Sequence, residues 1–151
     1  MSSTALSFSS SAPVASRANG RGQFALAGLG TVAAAVLANL LVYALGSVAV
    51  GYDPQFIVLA NASGTILFTV VPAIVAVLLY AVLTRFTANP AGIFTNIAVV
   101  VLVLSLIPDL TYIPSVAGAS SGQTAILMVM HVVAAAVIVS TLTTLTRSRR
   151  A

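Results

Sequence analysis

The chain has 151 residues, of which 60% are hydrophobic and 5% charged, and its mean hydropathy is +1.13. A soluble domain carries about 25% charged residues, so an ordinary soluble globule and a disordered chain are both excluded. The net charge of +4 rests on six Arg and two Asp, with no Lys and no Glu; so sparse a charge sets orientation in a membrane and does not make a nucleic-acid surface.

Residues 1–23 are rich in Ser and Ala and cannot bury a core, so they read as a disordered tail. The first uncharged stretch, Phe24–Val50, is much longer than the apolar part of a cleaved signal, about 7–15 residues, and is long enough to cross a bilayer. Within it Asn39 and Tyr43 stand four apart on one helical face. Gly30, Ala34 and Ala38 form a small-residue stripe, predicted to face another helix. A loop with Asp53 leads to the second stretch, Gly64–Thr84, where Thr65, Thr69 and Pro72 lie close together on one side. Arg85 marks a short turn. The third stretch, Ala91–Pro108, is the shortest; it carries Asn96 and Ser105 and is expected to end at Pro108-Asp109. The fourth, Gln123–Leu145, holds His131, and residues 146–151 close the chain as a basic tail. None of these runs alternates as a barrel strand must. The predicted fold is therefore all-α: a four-transmembrane-helix antiparallel bundle at 24–145 with a disordered N-terminal tail.

An even number of spans puts Arg17, Arg21, Arg85, Arg147, Arg149 and Arg150 on one face and Asp53 and Asp109 on the other. The positive-inside rule makes the Arg face cytoplasmic, with both termini there, in the cell membrane.

The chemistry-bearing residues are few. Without Cys and with one His, there is no disulfide framework, thiolate nucleophile or self-contained zinc site. Two Asp far apart in sequence do not make the carboxylate pair of acid–base hydrolysis, and no Gly-rich phosphate loop followed by Lys is present. The expectation is a chain that is not an enzyme, has no cofactor, metal or nucleic-acid partner, and meets the lipid bilayer, other membrane proteins or its own copies. At 1.5 Å per helical residue, His131 lies about 12 Å below the outer face and Asn39 about 16 Å. Asn39, Tyr43, Thr69, Ser105 and His131, with Asp109 at the mouth, then form a candidate polar cluster in the outer half. His131 is expected to be neutral, facing inward and bonded to Asn39, Tyr43 or a hydroxyl of the second helix. Asp109 is expected about 12 Å above it, too far for direct contact.

The order ANLLVY, LFTVVPA, an Arg-bearing turn, SLIPDL and ILMVMHVVAAAVIV resembles a domain-of-unknown-function family of small four-helix bacterial integral membrane proteins. The likeness covers about residues 28–145 and rests on Asn39 with Tyr43, Phe68-Thr69 with Pro72-Ala73, and Met130-His131. It implies a fold and a membrane location, with no activity or assigned site. Small multidrug exporters have a similar size, but they need an acidic residue in the first helix, and Phe24–Val50 has none. Two roles follow: a non-catalytic helix-packing or partner subunit, or a small transporter or carrier holding a neutral or lipidic ligand in the polar cluster.

Overall fold

The computed structural model describes residues 14–147; residues 1–13 and 148–151, with most of the expected N-terminal tail and the basic end, lie outside the described residues. Four helices follow one another: α1 (Val14–Val50), α2 (Ala62–Phe86), α3 (Pro90–Thr111) and α4 (Ser121–Arg147). A single 3-10 turn, η1 (Ile113–Ser115), sits between the last two, and no strand occurs among the described residues. The fold is all-α, and four segments, Gly22–Val50, Ala62–Phe86, Pro90–Ser115 and Ser121–Thr144, are long and apolar enough to cross a membrane. This is a multi-pass membrane protein.

The helix ends are set by side chains that satisfy the free backbone donors. Asn61 caps α2, its Oδ1 accepting from the backbone N–H of Ser63 at 3.1 Å and of Gly64 at 3.4 Å. Asn89 does the same for α3 through Gly92 N–H at 3.1 Å, with Pro90 in the first turn, where its missing N–H is harmless. Ser120 and Gln123 form a reciprocal capping box on α4: Ser120 N–H donates to Gln123 Oε1 at 3.0 Å, and Gln123 N–H to Ser120 Oγ at 3.2 Å.

Two boundaries differ from expectation. Helix α1 begins at Val14, inside the stretch read as tail: no proline stands between Val14 and Phe24, and Gly20 and Gly22 weaken the helix without stopping it. Helix α3 runs through Pro108 to Thr111. Proline gives up its own donor, but its carbonyl still accepts, and the bond from Tyr112 N–H to Pro108 O closes at 2.9 Å.

Helix α1 packs against α2 and α4, α3 packs against α4 and α2, and α1 and α3 do not meet. The inward face of α1 is Gly28, Thr31, Ala35, Asn39 and Gly46, a repeat of three and four residues. The stripe Gly30, Ala34 and Ala38 lies about 100° round the helix from it. Gly30 is exposed, and a Cβ there would meet nothing within 4 Å. Within the chain, then, Gly30 meets no other helix, and Ala34 and Ala38 are only half-buried. Close approach is made at Gly28, where a Cβ would stand 2.7 Å from Val77, and at Gly46, where it would meet Ile126 at 2.9 Å as well as the Tyr52 hydroxyl.

The interior divides into two apolar cores. One, toward the α2–α3 turn (the Arg85 end), gathers Ala35, Ala73, Tyr80, Phe94, Ile138 and Leu142, with the Tyr80 and Phe94 rings edge to face at 5.0 Å. The other, at the loop end, gathers Phe56, Leu59, Ile113, Leu127 and Met130. Both connecting loops feed it, and Gly118 (φ +75°) lets the second loop lie against the backbone of Gln55 and Phe56.

Candidate functional site

Between the two cores lies a polar layer. Asn39, Thr65, Thr69 and Asp109 are each at least nine-tenths buried. Asn39 Nδ2 donates to Thr69 Oγ1 at 2.9 Å, and Thr69 Oγ1 in turn donates to the Thr65 carbonyl at 2.7 Å. This contact fixes the register of α1 on α2. Four residues back along α1 is matched by four residues on along α2, so Ala35 meets Ala73 in the core below, and Tyr43 stands level with Thr65 above. The Tyr80–Phe94 contact sets α3 on α2 in the same way. It brings Ser105 level with Thr69, and Asp109 level with Thr65, to within about one turn or 5.4 Å.

Asp109 meets His131 directly. His131 Nδ1 is 3.0 Å from Asp109 Oδ2 and also 3.0 Å from the carbonyl of Leu127, one turn earlier in its own helix. Nδ1 faces both oxygens, and with its one hydrogen on the Leu127 carbonyl the Asp109 Oδ2 atom stands at ion-pair distance without a donor. Two further buried oxygens lack a partner, Asn39 Oδ1 and Thr65 Oγ1. Buried polar atoms are nearly always paired, so three such acceptors in adjacent turns mark a place where a donor fits.

The expected cluster is therefore assembled only in part. Asn39 and Thr69 come together, and so do Asp109 and His131. Tyr43 turns toward the loop and donates to Leu59 O at 3.2 Å. Ser105 bonds back to Leu102 O at 2.7 Å on its own helix. Pro72 is exposed on the outside of α2, away from the threonine face. His131 faces inward with one edge only, its side chain being 39% exposed, and its partners are Leu127 O and Asp109, not Asn39, Tyr43 or a hydroxyl of α2. The expected separation of Asp109 from His131 also falls. The depth count placed every helix end in one plane, but α3 ends well inside the bundle. His131 is ten residues into α4, about 15 Å from its start, and the chain climbs that distance through η1 and residues 116–120.

Tyr52 was not legible as part of this region. Its hydroxyl donates to Tyr43 O at 2.8 Å, and the two rings stand 5.0 Å apart. Burial first, and the neighbouring Tyr43 second, push the Tyr52 hydroxyl above the ordinary tyrosine value of 10.0. Gly46, which leaves room for that hydroxyl, is the one sequence signal that pointed to it.

Four long apolar helices around a buried carboxylate–imidazole contact define a small four-helix membrane protein. Over residues 19–148 the chain matches a family of unknown function, DUF6069, and it belongs to that family. No curated protein and no solved structure matches it.

Proposed function

We propose that this protein is a non-catalytic subunit of the cell membrane that works by packing against other membrane helices, a second copy or a partner. The supporting observation is the outward stripe on α1. Gly30 is open to the exterior, and a methyl group added there would meet nothing within 4 Å; Ala34 and Ala38 continue the stripe, only half-buried. In lipid, apolar faces gain nothing by leaving the tails, so helices associate through small residues that let backbones approach. The six Arg favour an orientation with both termini in the cytoplasm.

The test is native mass spectrometry of the full chain from mild detergent, wild type against Gly30→Leu. A stoichiometric complex in the wild type, lost in a variant of unchanged thermal stability, is the expected result. A monomer in both refutes the reading. A second reading, a carrier that holds a small neutral solute inside the bundle, is favoured by the unpaired acceptors Asn39 Oδ1 and Thr65 Oγ1. A retained small molecule, and no protein partner, in the same spectra selects it.

A further inference from the structure

We propose that His131 and Asp109 form a proton-binding site within the membrane, with Nε2 of His131 as the atom that gains and loses the proton and Asp109 as its counter-charge. This rests on neither reading of the protein's role.

The Leu127 carbonyl can only accept a hydrogen bond. Nδ1, aligned on it at 3.0 Å, therefore keeps its hydrogen whether the ring is neutral or charged. The remaining nitrogen, Nε2, has no hydrogen-bond partner among the described residues, and with the side chain 39% exposed the protein does not wall it in. When a proton binds there the imidazolium stands 3.0 Å from Asp109 Oδ2. That oxygen is buried and has no other donor. A lone cation at this depth is strongly disfavoured, and a neighbouring carboxylate removes the net charge.

Among the described residues no other ionised group competes for either partner. Helix α1 presents Tyr43, whose hydroxyl is engaged by Leu59 O. Helix α2 presents Thr65 and Thr69, and α3 presents only Asp109. The loops bring Tyr52, bonded to Tyr43 O, together with Asp53 and Tyr112, both exposed. Arg85 lies at the opposite end of the bundle.

The site also has a mechanical setting. Leu127 and Met130 flank His131 on α4 and belong to the loop-end core with Phe56, Leu59 and Ile113, and Ile113 follows Asp109 by four residues. Proton binding turns a dipole–charge contact between α3 and α4 into an ion pair directly beneath that core. It therefore ties α3 more firmly to α4 below that core.

The chain has one histidine, so ring-¹⁵N-labelled full-length protein in lipid bilayers reports His131 alone by solid-state NMR. We expect Nδ1 to remain an N–H across the titration and Nε2 to change from bare nitrogen to N–H as the pH falls. In the same wild-type sample the Asp109 carboxyl ¹³C signal should move at the midpoint of Nε2, as coupled sites do, and the Asp53 signal should not. In Asp109→Asn the counter-charge is gone, so Nε2 should hold its proton less tightly and its midpoint should move to lower pH. Nδ1 as the bare nitrogen, an Nε2 that never titrates, or an Asp109 signal that ignores the His131 midpoint would each overturn the proposal. An unchanged midpoint in Asp109→Asn would do the same. Should that variant fail to fold, the wild-type Asp109 signal decides the matter alone.

Discussion

Thr69→Val and Asn39→Leu break the same hydrogen bond and should have unequal effects. Thr69 Oγ1 is the sole acceptor for Asn39 Nδ2, at 2.9 Å, and Asn39 Oδ1 is already unpaired. Thr69→Val keeps the shape of the side chain and removes that acceptor. The interhelical bond itself is worth about 0.6–1 kcal/mol in a membrane, and the amide left without a partner adds about 1–3 kcal/mol. The expected loss is about 2–3 kcal/mol. Asn39→Leu loses the same bond but removes both amide atoms, the unpaired Oδ1 included. Thr69 Oγ1 still donates to Thr65 O at 2.7 Å, so no new donor is stranded, and stability should stay within about 1 kcal/mol of wild type. Adding Asn39→Leu to Thr69→Val should therefore restore most of the loss. Reversible unfolding in mixed detergent micelles, followed by ellipticity, measures all three. An Asn39→Leu protein as unstable as Thr69→Val, or a double variant worse than either, would refute the reasoning.

Gly46→Ala should destabilise the bundle by about 1–3 kcal/mol through overpacking, since its Cβ would meet Ile126 and the Tyr52 hydroxyl. Gly30→Ala, with open space around it, should be neutral or stabilising by up to about 1 kcal/mol in the monomer; thermal melts in detergent compare the two. Reporter fusions after Asp53 and Gly118 should read outside the cytoplasm, and a fusion after Thr87 inside it; a cytoplasmic signal at Gly118 would contradict the threading. The fold holds the Tyr52 proton above the ordinary value of 10.0, so the stability it contributes is full below that pH and is lost as pH rises beyond it. Unfolding midpoints of wild type should therefore fall more steeply above that pH than those of Tyr52→Phe.

The four spans were legible because lipid imposes one rule on every residue: a charged side chain is excluded and backbone must pair internally. The long uncharged runs in this sequence admit little else. Helix type and order followed, as did the burial of Asn39 and Thr69, which are polar residues on otherwise apolar helices. What escaped was axial offset. Hydropathy gives the length of a span and says nothing of where its end lies relative to its neighbours. Asp109 was therefore set at the surface by its place after Pro108, although Pro108 does not stop the helix. The face of α1 escaped for a related reason. Gly30-Ala34-Ala38 and Thr31-Ala35-Asn39 are adjacent rows of small residues with the same spacing. Only contact with Thr69 and Ala73 of α2 decides which row is buried.

The polar layer costs this protein stability, which bears on why it is there. Two buried oxygens without a partner, Asn39 Oδ1 and Thr65 Oγ1, are each unfavourable by about 1–3 kcal/mol, while interhelical hydrogen bonds in membranes return less than that apiece. What the layer does supply is register. Asn39 with Thr69 ties α1 to α2, and Asp109 with His131 ties α3 to α4, so each helical hairpin is pinned by one polar contact. A slip of one turn, which apolar ridges tolerate, would strand all four groups. The seam between α1 and α4 joins the two hairpins through Gly46, Ile126 and other apolar contacts. That seam is set by close packing at Gly46. The one ionisable pair in the spans sits inside the second hairpin, beneath the core that both loops close. Any change in its charge acts first on that hairpin and on the loop end above it.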